Sequence, residues 1–90
     1  MKKTTLSPNV AISESGFLFL PTTGESFTVS DVGRAILLGL QAGKNDGEIV
    51  HSIVQEFEID ATTVERDLQD FMNQLQQYRL VSNDNDSQND

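Results

Sequence analysis

Ninety residues, 37% of them hydrophobic, fit one domain with a single small core. Fourteen Asp and Glu against six Lys and Arg leave a net charge of −8, the wrong sign for gripping a phosphate backbone. With one His and no Cys, the chain has no disulfide and too few soft ligands for a structural zinc site. Residues 1–9 read as a flexible N-terminal arm, because two lysines, two threonines and Pro8 show no periodicity. Lys2-Lys3 is followed by Thr-Thr-Leu-Ser-Pro rather than an apolar run, so no signal peptide is read. The longest apolar stretch, Ala35 to Leu40, is far short of the ~18 residues that a membrane helix needs. A cytoplasmic location is expected.

The body, 10–82, divides into strands and then helices. Val10-Ala11-Ile12 is a first short β-rich run, and Glu14-Ser15-Gly16 a turn. Phe17-Leu18-Phe19-Leu20 is a second strand, apolar on both faces, and Pro21-Thr22-Thr23-Gly24 a second turn. Ser26-Phe27-Thr28-Val29 is a third strand, whose alternation sends Phe27 and Val29 inward and Ser26 and Thr28 outward. Such short connections make an antiparallel meander.

Ser30 is placed to cap a first helix with the stripe Val32, Ala35, Ile36 and Leu40, ended by Gly43. Asn45 and Glu48 have the spacing of a capping box for a second helix bearing Ile49, Val50, Ile53, Val54 and Phe57. Asp60 caps the third and longest helix, with Val64, Leu68, Phe71, Leu75 and Tyr78 spaced 4, 3, 4, 3 along one narrow face. Leu80-Val81 folds back on the core. The tail, 83–90, holds only Asn, Asp, Ser and Gln and reads as disordered. The fold class expected is α+β: a three-stranded antiparallel sheet followed by three helices, similar to a winged helix-turn-helix.

Catalytic chemistry is not legible. His51 has neither a Cys nor a poised Ser to act with, and it reads as a partly exposed helix histidine. Glu56, Glu58 and Asp60 lack the alternating ligand spacing of a calcium loop. Neither metal nor cofactor is expected, and the chain reads as no enzyme. DNA binding is disfavoured as well, because the third helix opens with Glu65, Arg66, Asp67 and Asp70, one positive charge against three negative.

A family resemblance rests on specific residues. Thr23-Gly24-Glu25 forms a hairpin turn, and Phe27-Thr28-Val29-Ser30 the strand end after it. Gly33, Ala35 and Ile36 fall in the first helix, Gly43 at the break, and Glu48-Ile49-Val50 at the start of the second helix. Val64-Glu65-Arg66-Asp67-Leu68, Phe71, Leu75 and Leu80-Val81 complete the pattern. On these residues the stretch 10–81 resembles the PqqD family, the pyrroloquinoline quinone biosynthesis protein D type. It is similar to the recognition elements of ribosomally made, modified peptides. Val29-Ser30 replaces that family's Leu-Asn-like pair, no Trp stands in the first helix, and Arg79 takes the place of a Gly.

The resemblance implies a non-catalytic adaptor for natural product biosynthesis. A leader peptide would add as a strand to the third strand, in the groove beside the third helix, for presentation to a separate radical or ATP-dependent modifying enzyme. The site it implies comprises Ser26, Phe27, Thr28 and Val29, with Val64, Asp67, Leu68 and Phe71 across the groove. The residues fit, since the third strand of a meander is an edge and carries no charge between 26 and 29. Asp67 and Gln74 could rim a groove floored by Val64, Leu68 and Phe71. Those three also stand at core spacing, and Asp67 also reads as a solvated helix acid. The apolar outer face of Phe17-Phe19 or Leu18-Leu20 needs a cover: the arm, a second copy or an enzyme. A homodimeric or scaffold interaction domain is the alternative function, and a winged-helix DNA regulator ranks third.

Overall fold

The computed structural model describes residues 4–21 and 23–83. The chain runs β1 (Thr4–Leu6), β2 (Ala11–Ile12), β3 (Phe17–Leu20), β4 (Glu25–Thr28), α1 (Asp31–Gln41), α2 (Asp46–Phe57), α3 (Ala61–Gln77) and β5 (Val81–Asn83). The expected meander is present, ordered β2-β3-β4, and the three expected helices follow it.

Beside them lies a two-stranded sheet in which β1 pairs antiparallel with β5 and Leu6 stands opposite Val81. This corrects the expected loose arm over the described residues 4–9. Leu6 and Val10 are buried in the core, and the Ser7 N–H donates to the Leu80 carbonyl at 2.7 Å. Asn83, assigned to the tail, ends β5. The arm's first three residues and the tail from 84 to 90 lie outside the described residues.

Each helix begins at the cap its sequence announces. The Ser30 hydroxyl accepts from the Gly33 N–H, and Asn45 and Glu48 form a reciprocal capping box. The Asp60 carboxylate accepts from both the Thr63 N–H and the Thr63 hydroxyl. Those bonds hold its carboxyl below the ordinary range, the backbone bond contributing most. A depressed folded pKa stabilises above the unfolded value and is lost as pH falls through the folded one. Asp60→Asn keeps a cap acceptor but removes the titration. It should flatten the fall in melting temperature at pH values below the ordinary 3.8, read by calorimetry from pH 5 downward. An unchanged acid limb would remove Asp60 from that dependence.

The core lies between the sheet and the helices. Leu18 and Leu20 of β3 meet Ile36, Leu37 and Leu40 of α1, Ile49 and Ile53 of α2, and Val64, Leu68, Met72 and Leu75 of α3. Leu37 and Met72 extend the stripes read from the sequence. Leu80 is buried, and Val81 packs against the core as expected of the chain end.

Two helices end in the same hydrogen-bond pattern on different residues. After α1, the Lys44 N–H donates to the Gly39 carbonyl and Gly43 N–H to Leu40, with Gly43 at φ 80°. After α3, the Leu80 N–H donates to the Leu75 carbonyl and Arg79 N–H to Gln76, with Arg79 at φ 60°. Both are Schellman ends, which require one left-handed residue. A side chain there costs ~1–2 kcal/mol, part of which glycine gives back as unfolded-chain entropy. Arg79→Gly is therefore expected to raise the melting temperature by a few degrees, up to ~5 °C. A fall in thermal unfolding temperature would contradict this.

Candidate peptide-binding edge and groove

β4 is an edge strand, with β3 on one side and no strand on the other among the described residues. Its register with β3 sets which faces its side chains take. Phe27 stands opposite buried Leu18, and Glu25 opposite buried Leu20, so both lie on the core side of the sheet. Ser26 and Thr28 stand opposite Phe19 and Phe17 on the outer side.

The same register settles the backbone. The Val29 N–H donates to the Gly16 carbonyl at 2.8 Å. Within an antiparallel ladder, hydrogen-bonded and non-bonded pairs alternate, and a residue's N–H and C=O point the same way. Val29, Phe27 and Glu25 therefore direct their backbone groups toward β3. Ser26 and Thr28 direct theirs to the open edge, two N–H donors and two C=O acceptors in line.

Across this edge stands one flank of α3. Asp67, Phe71, Gln74 and Tyr78 recur at spacings 4, 3, 4 and share a face. The Phe27 and Tyr78 rings lie 5.0 Å apart between centroids, tilted at 49°. Deeper in, a Cβ placed on Gly33 would meet the Val29 Cβ at 3.4 Å and the Phe71 ring at 3.5 Å, so glycine lets α1 come close to both. β4 thus runs opposite in sense to α3, with Val29 near Phe71 and Phe27 near Tyr78. Phe27, Val29 and Phe71 are half-buried, whereas Asp67, Gln74 and Tyr78 are exposed.

Of the expected site residues, Val29 and Phe71 stand near each other, Ser26 and Thr28 lie on the outer side of the same strand as Phe27, and Asp67 is on the helix flank that carries Phe71. The packing corrects two of the expected floor residues. Val64 and Leu68 are core, 1% and 5% exposed, and Leu68 turns to the opposite flank, where Ala61, Glu65, Gln69 and Met72 face Val50 and Val54 of α2. Residues three or four apart share a broad helix face, but a small angular step separates its two flanks. Phe27 and Val29, expected inside, are half-buried because the sheet stops at β4. Tyr78, read as the last member of the core stripe, is 56% exposed, with its ring beside Phe27. The signal available was its place at the helix end, beyond the last turn the core can cover.

Phe17 and Phe19 face away from the core, 49% and 42% exposed, so β3 keeps an open apolar outer face. His51 lies exposed on α2 and lines a surface pocket together with Asp46 and Glu65. Among the described residues, no three His, Cys, Asp or Glu stand close enough to hold a metal ion. No described helix is long and apolar enough to cross a membrane.

An open-edged antiparallel sheet with three capped helices, and the Phe27 and Tyr78 rings beside that edge, make a small strand-plus-helix domain. Residues 16–81 match the family model described as coenzyme PQQ synthesis protein D, and the chain belongs to that PqqD family. Its fold is similar to TbiB1 in complex with the TbiA(beta) leader peptide, at 34% identity and a TM-score of 0.76 over 87% of this chain and 94% of that one. It is also similar in fold to lasso peptide synthetase B1 complexed with the leader peptide, at 23% identity and a TM-score of 0.73 over 88% and 96%. No curated protein sequence matches the chain.

Proposed function

We propose that this chain is a non-catalytic adaptor that binds the leader of a ribosomally made precursor peptide and presents it to a separate modifying enzyme, radical or ATP-dependent, in the cytoplasm. The observation that carries the reading is the pair of outward-facing backbone sets at Ser26 and Thr28, beside the groove of Phe27, Val29, Phe71 and Tyr78. A peptide strand satisfies all four groups at once. Main-chain bonds supply affinity, and side chains in the groove supply selectivity. The relation to TbiB1, whose structure holds a leader peptide, supports the same assignment.

Asp67 and Gln74 form the polar rim of the groove, with Val64 and Leu68 holding α3 in place from the core. The outer face of Phe17 and Phe19 offers the modifying enzyme a seat next to the added strand. That exposed face also favours the second reading, a homodimer formed through it. The charge of −8 supports no nucleic-acid partner.

The test is calorimetric titration of the chain with the leader of the precursor peptide encoded beside its gene. Saturable binding with a stoichiometry of one peptide per chain is expected. Absence of binding, with concentration-dependent dimerisation in sedimentation, would favour the scaffold reading.

A further inference from the structure

The β4 register specifies more than a site; it specifies what the leader must present. We infer that the groove reads an antiparallel leader segment in which an apolar residue, an aromatic residue and a basic residue alternate, in that order from its N-terminus. The inference rests on the adaptor reading.

The derivation starts from the edge. Ser26 and Thr28 carry the outward backbone groups, so an added antiparallel strand makes its hydrogen-bonded pairs with these two residues. The peptide residue between those pairs stands opposite Phe27. It is a non-hydrogen-bonded pair, in which side chains come closest. Its side chain projects on the core side of the sheet, as Phe27 does, toward the flank of α3 that carries Phe71 and Tyr78. The Phe27 and Tyr78 rings at 5.0 Å form a ready aromatic wall there. An aromatic residue is the match, since ring pairs add to simple area burial.

The next inward positions fall opposite Val29 and Glu25. Val29 lies near Gly33 and the Phe71 ring, and these neighbours call for an apolar partner. Glu25 is exposed, and its carboxylate accepts one hydrogen bond, from the Thr23 hydroxyl at 3.1 Å. A Lys or Arg opposite Glu25 completes a cross-strand ion pair. Antiparallel pairing runs the peptide from the Val29 end to the Glu25 end, which sets the order. The two intervening residues point to the outer face with Ser26 and Thr28, where the groove reads nothing.

The probe is a synthetic peptide, Ser-Thr-Val-Thr-Phe-Thr-Lys-Thr-Ser, titrated into the full chain with fluorescence anisotropy. It should bind, and its reversed-order counterpart with Lys first and Val last should bind at least threefold more weakly. Glu25→Lys should weaken the Val-Thr-Phe-Thr-Lys peptide about three- to tenfold, as attraction turns to repulsion. Replacing the peptide lysine by glutamate should restore binding to that variant. Glu25→Gln, milder in charge, should fall between, with both variants matching the parent in circular dichroism.

Equal binding of both orders, or indifference to the Glu25 exchange, overturns the alternating pattern. No binding of the synthetic peptide also overturns it. If the genuine leader binds in either case, the adaptor function stands and only the pattern falls. If the genuine leader fails too, the adaptor reading fails with it.

Discussion

Thr28→Pro should reduce leader affinity by at least tenfold while leaving a folded domain. The Thr28 N–H points to the open edge, so proline deletes no bond of the β3–β4 ladder. It removes one donor facing the peptide and places its ring where the added strand must approach. A lost hydrogen bond accounts for ~0.5–1.5 kcal/mol, and the blocked approach adds to it. Each ~1.4 kcal/mol is tenfold in affinity. Thr28→Ala is the matched control. Its side chain lies on the outer face opposite Phe17, outside the groove, so alanine should change affinity little. If alanine costs as much as proline, recognition works through side chains and the backbone account is wrong. Circular dichroism of both variants establishes that the fold persists.

Leu75→Ala should have the largest effect on stability. Leu75 is 5% exposed, at the centre of the α3 face that meets the core. Emptying such a site costs ~2–5 kcal/mol, against the ~5–15 kcal/mol that holds a domain together. In a chain this size the melting temperature should fall by more than ~10 °C. Asp67→Ala, one face away and exposed, should leave the melting temperature within about 2 °C yet weaken leader binding. Equal destabilisation by the two substitutions would make Asp67 part of the fold and not of the rim.

Local chemistry made most of this fold readable. Ser30, Asn45 with Glu48, and Asp60 announce the three helix starts because a cap needs one acceptor at one position. Alternation in 26–29 announces the edge strand because pleating has period two. The β1–β5 pairing was not readable. Thr4–Leu6 carries one apolar residue, and its partner lies at the far end of the chain, so no local pattern records the contact. The same limit applies to the groove. Val64, Leu68, Phe71 and Tyr78 share one stripe in the sequence. Only the packing of α2 on one flank and β4 on the other separates core from wall. The direction of the β4 backbone groups follows from one long-range bond, Val29 to Gly16, which spacing along the chain cannot show.

Amide hydrogen exchange across β4, with and without the leader peptide, tests the central claim most directly. Phe27 and Val29 should exchange slowly in both states, because β3 and Gly16 already hold their amides. Ser26 and Thr28 should exchange fast in the free chain and become protected on binding, since only an added strand can occupy their edge. Protection that appears elsewhere, leaving the Ser26 and Thr28 amides as exposed as before, would contradict strand addition at β4.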